Sequence, residues 1–138
     1  MSPTARALRV LLVEDEELNR QLVRAILARA RHPILRNASL IEAGTLAQAD
    51  HALADGPIDI ILLEVQLPDG SGLTLAEKLR GIPAGHRPTI IALTAGALPH
   101  QNTAALAAGC DTILTKPHTA AELLAVLTDN LPATSTAE

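Results

Sequence analysis

Apolar residues fall in short blocks along this chain, and a stretch with helical spacing follows each block. Leu8 to Val13 (LRVLLV), Ile58 to Leu63 (IDIILL), Thr89 to Leu93 (TIIAL) and Thr112 to Thr115 (TILT) are aliphatic and β-branched runs. Runs of this kind predict buried strands. One more strand, second in chain order, is predicted within Ile34 to Ala43, at Ser39 to Glu42, where the pattern is weakest. After the first strand, Leu18, Leu22, Ala25, Ile26 and Arg29 recur at spacings of three and four, which predicts an amphipathic helix ended by His32-Pro33. Leu46 to Ala54 predicts a second helix, closed by Gly56-Pro57. Leu73 to Arg80 predicts a third, stopped by Gly81 and Pro83. Pro99 suits the first turn of an Ala-rich helix that ends at Gly109. Thr119 with Glu122 forms a capping box for the last helix, which runs to about Asn130 before Pro132.

Strands and helices thus alternate five times. The strand blocks are continuously apolar instead of alternating, so both faces of the sheet must be covered. The expected fold is a doubly wound, five-stranded parallel sheet with five helices. At 138 residues the chain is most simply one domain. The expected limits are a disordered lead over 1–7, a domain over 8–131 and a flexible tail over 132–138.

Composition narrows the function classes. A single cysteine, Cys110, excludes an internal disulfide and suits a reducing compartment. The N-terminal stretch lacks an apolar signal region and no apolar run reaches membrane-spanning length, so a cytoplasmic protein is expected. The net charge of −4 argues against direct nucleic-acid binding, and the absence of Phe, Tyr and Trp removes stacking on bases. Seven of the eleven basic residues lie at or before Arg36, which is read as a solvated helix face plus chain ends.

The strand ends change the picture. In a doubly wound sheet, ligands bind beyond the carboxyl ends of the strands. Strand one delivers Glu14 and Asp15, strand three Glu64, strand four Thr94 and strand five Lys116. Each has an ordinary reading on its own. Asp15 could cap the first helix, Glu14 could belong to a solvated acidic turn, and Asp69 in Pro-Asp-Gly-Ser-Gly is read as a turn residue. Three carboxylates, a hydroxyl and an ammonium at one rim are harder to explain that way. Hard oxygen ligands suit Mg²⁺, and the hydroxyl and ammonium suit phosphate-like oxygens.

VLLVEDEELNRQLV, DIILLEVQLPDGSGL, IIALTAGA and ILTKP, in this order and spacing, resemble the receiver domains of two-component response regulators, and in particular single-domain, chemotaxis-regulator-like ones. The resemblance covers about Leu8 to Leu131 and implies a flavodoxin-like receiver fold. It implies that Glu14 and Asp15 are the acidic pair that holds Mg²⁺, with Glu64 and the backbone carbonyl of Gln66 as further metal ligands. Thr94 and Lys116 match the phosphate-sensing hydroxyl and lysine, and the Lys116-Pro117 bond is expected to be cis. The implied partners are a sensor histidine kinase or histidine phosphotransfer protein. A downstream protein would bind the face formed by the fourth helix, fifth strand and fifth helix. The implied role is signalling by protein–protein contact and not enzymatic turnover.

Two positions depart from the family pattern. Glu64 stands where the family carries its phospho-accepting aspartate, and Ile113 stands where a switching Tyr or Phe is usual. The extra methylene moves the carboxylate outward by about one C–C bond, and roughly 1 Å of misplacement can cost about a hundredfold in rate. Impaired phosphorylation, with a weak Mg²⁺ site and a partly active phosphomimetic state, is therefore expected. Two other readings compete with the signalling module. One is a Mg²⁺-dependent phosphoryl-transfer enzyme acting on small molecules, against which the sequence offers no second acid as general base and no capping insertion. The other is a flavodoxin-like scaffold with a dead site.

Overall fold

The computed structural model describes residues 6–83, 85, 87–95 and 99–132. Residues 1–5 of the expected lead and 133–138 of the expected tail lie outside these residues, as do Gly96 and Ala97 of the third motif. Arg6, expected in the loose lead, is instead tied to Asp59 through two bonds of 2.9 Å each.

The chain order is β1 (Arg9–Val13), α1 (Glu17–Ala28), α2 (Pro33–Arg36), β2 (Ser39–Ala43), α3 (Leu46–Asp55) and β3 (Ile60–Glu64). It continues with β4 (Gln66–Leu67), β5 (Gly70–Ser71), α4 (Gly72–Leu79), β6 (Thr89–Thr94), α5 (Pro99–Ala108), β7 (Thr112–Thr115) and α6 (Ala120–Asp129). β2, β1, β3, β6 and β7 form one sheet in that order, and every neighbouring pair is parallel. The doubly wound, five-stranded architecture is as the pattern predicts.

Among the described residues there are six helices and not five. His32-Pro33 ends α1 as expected, but it also starts α2: Pro33 fills the first helical position and the His32 ring accepts the N–H of Ile34. Proline lacks an N–H that this position would leave unbonded anyway, so the residue that stops one helix can open the next. A small antiparallel pair, β4 with β5, was also not foreseen. Gly70 has φ of 144° at its turn, a conformation that favours glycine.

Alternate strand residues feed two apolar layers. Leu11, Val13, Ile61, Leu63, Ile90 and Ala92 pack with α3, α4 and α5, while Val10, Leu12, Ile60, Leu62, Ile91 and Leu93 pack with α1, α2 and α6. The phase of α1 differs from the predicted stripe. Val23 and Leu27 are buried, whereas Leu18 and Leu22 are 77% and 56% exposed. Leucines on both sides of α1 gave two overlapping stripes at helical spacing, and the one aligned with Ala30 and Leu35 faces the sheet. No helix among the described residues is long and apolar enough to cross a membrane.

Candidate functional site

The connections after β1 and β3 leave on opposite faces of the sheet, which opens a crevice at the carboxyl ends of these adjacent strands. Glu14 directly follows β1 and Glu64 is the last residue of β3. Both are buried, at 2% and 7% exposure. The solvated acidic turn considered for Glu14 is thus excluded. Its backbone is fixed on two sides: its N–H donates to Ala43 at 2.9 Å and its carbonyl accepts from the Arg20 guanidinium at 2.6 Å. Arg20 carries no sequence signal for this role beyond lying one and a half turns downstream.

Lys116 comes from the end of β7, where its N–H donates to the Thr94 carbonyl at 2.7 Å. Its ammonium donates to Glu14 Oε1 at 2.8 Å and also to Glu64 Oε1. One cation therefore serves two buried carboxylates. Burial pushes the Glu14 carboxyl up, but Lys116 and the Glu16 N–H outweigh it and leave its pKa below the ordinary value. For Glu64, burial wins: Lys116 pulls the other way, Glu14 adds repulsion, and the pKa stays raised. Burial alone would lower the Lys116 pKa, but its two acid partners raise it. The bond between Lys116 and Pro117 is cis, as the resemblance implied.

Thr94 is 4% exposed and its hydroxyl has no hydrogen-bond partner among the described residues. A buried hydroxyl left unbonded costs free energy, so a ligand oxygen arriving there would gain a bond already desolvated. Asp15 is exposed and does not cap α1. Glu16 is the residue at that position, with no side-chain cap. Among the described residues, no three His, Cys, Asp or Glu side chains are placed to share a metal ion. Gln66 sits in β4, and Ile113 is partly buried against the layer that includes Leu11 and Ile61.

Two residues matter more than their sequence context revealed. Gly72 starts α4 with its N–H on the Val65 carbonyl at 2.6 Å, and a Cβ there would run into the Glu64 carbonyl. The second is Asp69, whose carboxylate accepts the N–H groups of Leu46 and Ala47 at 2.9 and 3.2 Å. It therefore caps α3 from another loop, beyond a simple turn role, and ties the segment after Glu64 in place. The signals were present as Asp-Gly-Ser-Gly, but the partners lie 23 and 22 residues away.

The model of the response regulator receiver domain matches residues 10–128. The chain belongs to this family. It is a receiver domain of two-component signal transduction, a class of modules that typically signal without catalysing turnover and that generally bind Mg²⁺ at the phosphorylation site. It is 34% identical over 114 residues to the polar-differentiation response regulator DivK of Brucella ovis, covering 78% of this chain and 83% of DivK. It is also 34% identical over 130 residues to the gliding motility regulatory protein of Myxococcus xanthus, but spans only 16% of that longer protein. Among solved structures, chemotaxis response regulator CheY4 of Vibrio cholerae superposes with a TM-score of 0.79 at 24% identity, over 91% of this receiver and all of CheY4. The receiver domain of Saccharomyces cerevisiae Ssk1, solved with the phosphotransfer protein Ypd1, gives 0.82 at 24% identity, covering 96% of this chain and 94% of the other.

Proposed function

We propose that this receiver is a protein-binding signalling module whose rim is held near one state by Glu64 instead of being switched by phosphorylation. The observation that carries the proposal is the position of Lys116. Its ammonium is bonded to Glu64 at the phosphoacceptor position and to Glu14, while the buried Thr94 hydroxyl on the neighbouring strand end has no partner among the described residues. Glu64 thus reaches the lysine that would otherwise meet phosphoryl oxygens. A carboxylate has one charge and two oxygens against about −1.5 to −2 and three for a phosphoryl group, so the mimicry is partial.

A divalent ion would neutralise the crowded carboxylates and any incoming phosphoryl oxygens. Glu14, Asp15, Glu64 and the Gln66 carbonyl supply hard oxygens of the right kind for Mg²⁺. With Lys116 already between Glu14 and Glu64, the ion must compete with an internal cation, which makes the site weak. The partners by this reading are a sensor histidine kinase or a histidine phosphotransfer protein, with a downstream protein on the face of α5, β7 and α6. Ile113 is β-branched and stiff at χ1, so it stays packed inward where an aromatic would swing. That leaves the partner face over Ala104 to Thr115 and Thr119 to Leu127 largely preset.

The test is treatment with acetyl phosphate followed by intact-mass measurement. The parent protein should remain unlabelled and Glu64→Asp should gain one phosphoryl group. Partner affinity of Glu64→Asp, with and without beryllofluoride, should change by less than about tenfold. Equal labelling of both forms would remove the phosphorylation argument, and a much larger affinity gain would remove the preset face.

A further inference from the structure

From Leu18 to Ile41 the sequence holds five arginines and no acid. Three of the five are engaged. Arg20 pairs with Glu17, and Arg24 with Glu42. Arg36 donates to the carbonyls of Ala30 and Arg31 at 3.1 and 2.9 Å, which fixes the turn between α1 and α2. The guanidinium groups of Arg29 and Arg31 bond to no acid or carbonyl among the described residues.

Both of these free arginines line one cleft of about 340 Å³ between the end of α1, α2 and the outer face of α6. Its floor is apolar, made by buried Ala30 and Leu35 and half-buried Leu124. His32 at the rim accepts the Ile34 N–H on Nδ1 at 3.2 Å, so the neutral ring carries its proton on Nε2 and presents a further donor. Thr128, also at the rim, has its hydroxyl engaged with the Leu124 carbonyl at 2.8 Å. The neighbouring Asp129 forms no ion pair with either arginine. Because α1 runs back from the rim of the sheet, this cleft lies at the edge opposite Glu64.

We propose that the cleft docks an acidic, leucine-bearing peptide segment of a partner protein. One apolar side chain would sit on Ala30, Leu35 and Leu124, with flanking carboxylates on Arg29 and Arg31. Planar guanidinium groups accept carboxylates through paired bonds, and two unpaired ones over an apolar floor fit alternating acid and leucine. The positive corner is set in a chain of net charge −4, so an acidic segment finds little else to attract it. The cleft is open on one side, whereas small-molecule sites bury most of their ligand, which favours a chain segment as the occupant. Distance from Glu64 makes this an anchor that works in any state of the rim.

The experiment titrates ¹⁵N-labelled full chain with an acetylated, amidated peptide of alternating Glu and Leu. A second peptide carries Lys in place of Glu. The acidic peptide should shift amides over 29–35 and 124–128 while those of Glu14, Glu64 and Thr94 stay still. The basic peptide should shift none of them. The double variant Arg29→Glu with Arg31→Glu should bind at least about tenfold more weakly. Should that variant fold poorly by its amide spectrum, Arg29→Gln with Arg31→Gln must show the same loss. Equal binding of both peptides, or shifts centred on Leu18 and Leu22, would overturn the assignment. So would the same shifts from sodium acetate or inorganic phosphate alone, which would make this a small-anion site and not a peptide dock.

Discussion

Two acids bracket the same strand: Asp59 enters β3 and Glu64 ends it. Both are mostly withdrawn from water and both face basic side chains, yet their pKa values move in opposite directions. Asp59 receives two bonds from the Arg6 guanidinium and one from the Arg9 N–H at 2.8 Å. Burial pushes its carboxyl up, but these partners outweigh burial and hold it below the ordinary range. Glu64 has half of one ammonium and a second buried glutamate beside it, and burial holds its carboxyl up. The difference separates an acid whose needs are met by the fold from one whose needs are left for a ligand or partner state to meet. A perturbed carboxyl in a crevice is the commoner mark of a functional position.

The strongest way to break the contrast is to move the end of β3 itself. In Gly72→Ala the added Cβ meets the Glu64 carbonyl, and neither backbone can give without shifting the strand end. A loss of about 3 kcal/mol is expected, at the upper end of overpacking costs. Urea unfolding of the variant measures it. A loss below about 1 kcal/mol would mean that the β3–α4 turn adapts freely.

Removing the satisfied acid comes next. Asp59→Ala breaks charge-assisted bonds to Arg6 and to the Arg9 N–H, with the Asp59 side chain only 17% exposed but Arg6 47% exposed. About 1.5 kcal/mol of stability should be lost at neutral pH. Because the folded pKa is depressed, this contribution is present above the unfolded aspartate pKa of about 3.9 and is lost as pH falls through the folded value. Asp59→Asn should therefore flatten the acid limb of the stability curve below about pH 4. Chemical denaturation at several pH values reads this directly.

Lys116→Met tests the shared cation. Without the ammonium, Glu14 and Glu64 need another positive charge, and Mg²⁺ no longer has a competitor. Magnesium affinity by calorimetry should rise about tenfold, or roughly 1.4 kcal/mol, over the parent. Unchanged affinity would show that Lys116 does not hold the ion off.

The fold was largely legible because four of the five strand blocks are mostly apolar and helices carry their own start or stop signals, such as the Thr119–Glu122 box or Gly81. The rim was legible because strand ends converge in this topology whatever the side chains do. What the sequence hid depended on packing over distance. The phase of α1 could not be chosen while leucines lay on both of its sides. The sharing of Lys116 between Glu14 and Glu64, which stand 102 and 52 residues from it, follows only from the register of β1, β3, β6 and β7. In the sequence Arg29 and Arg31 are indistinguishable from a solvated face, because spacing along α1 does not show which arginines find acids.

The smallest expected effect falls on Glu64 itself. Glu64→Gln keeps the shape and one acceptor oxygen for Lys116 but removes the charge. Since the folded pKa is raised, the carboxyl contributes stability that is full below its unfolded pKa of about 4.3 and is lost as pH rises through the folded value. At pH 7 the charged form is therefore a net cost, while loss of the ion pair to Lys116 opposes the gain. Lys116 retains Glu14, so no cation is left without a partner. The two effects nearly cancel, and the change in stability at pH 7 should stay within about 1 kcal/mol, on the stabilising side. The acid side discriminates better. Asp59 and Glu14 lose their contribution only as pH falls below about 4, whereas Glu64 gains its own above that, as pH falls through the raised folded value toward about 4.3. The parent should thus gain stability as pH falls from neutrality toward about 4.3, and Glu64→Gln should not. Parallel curves would mean that Glu64 is as well satisfied as Asp59, and the contrast between the two ends of β3 would fail.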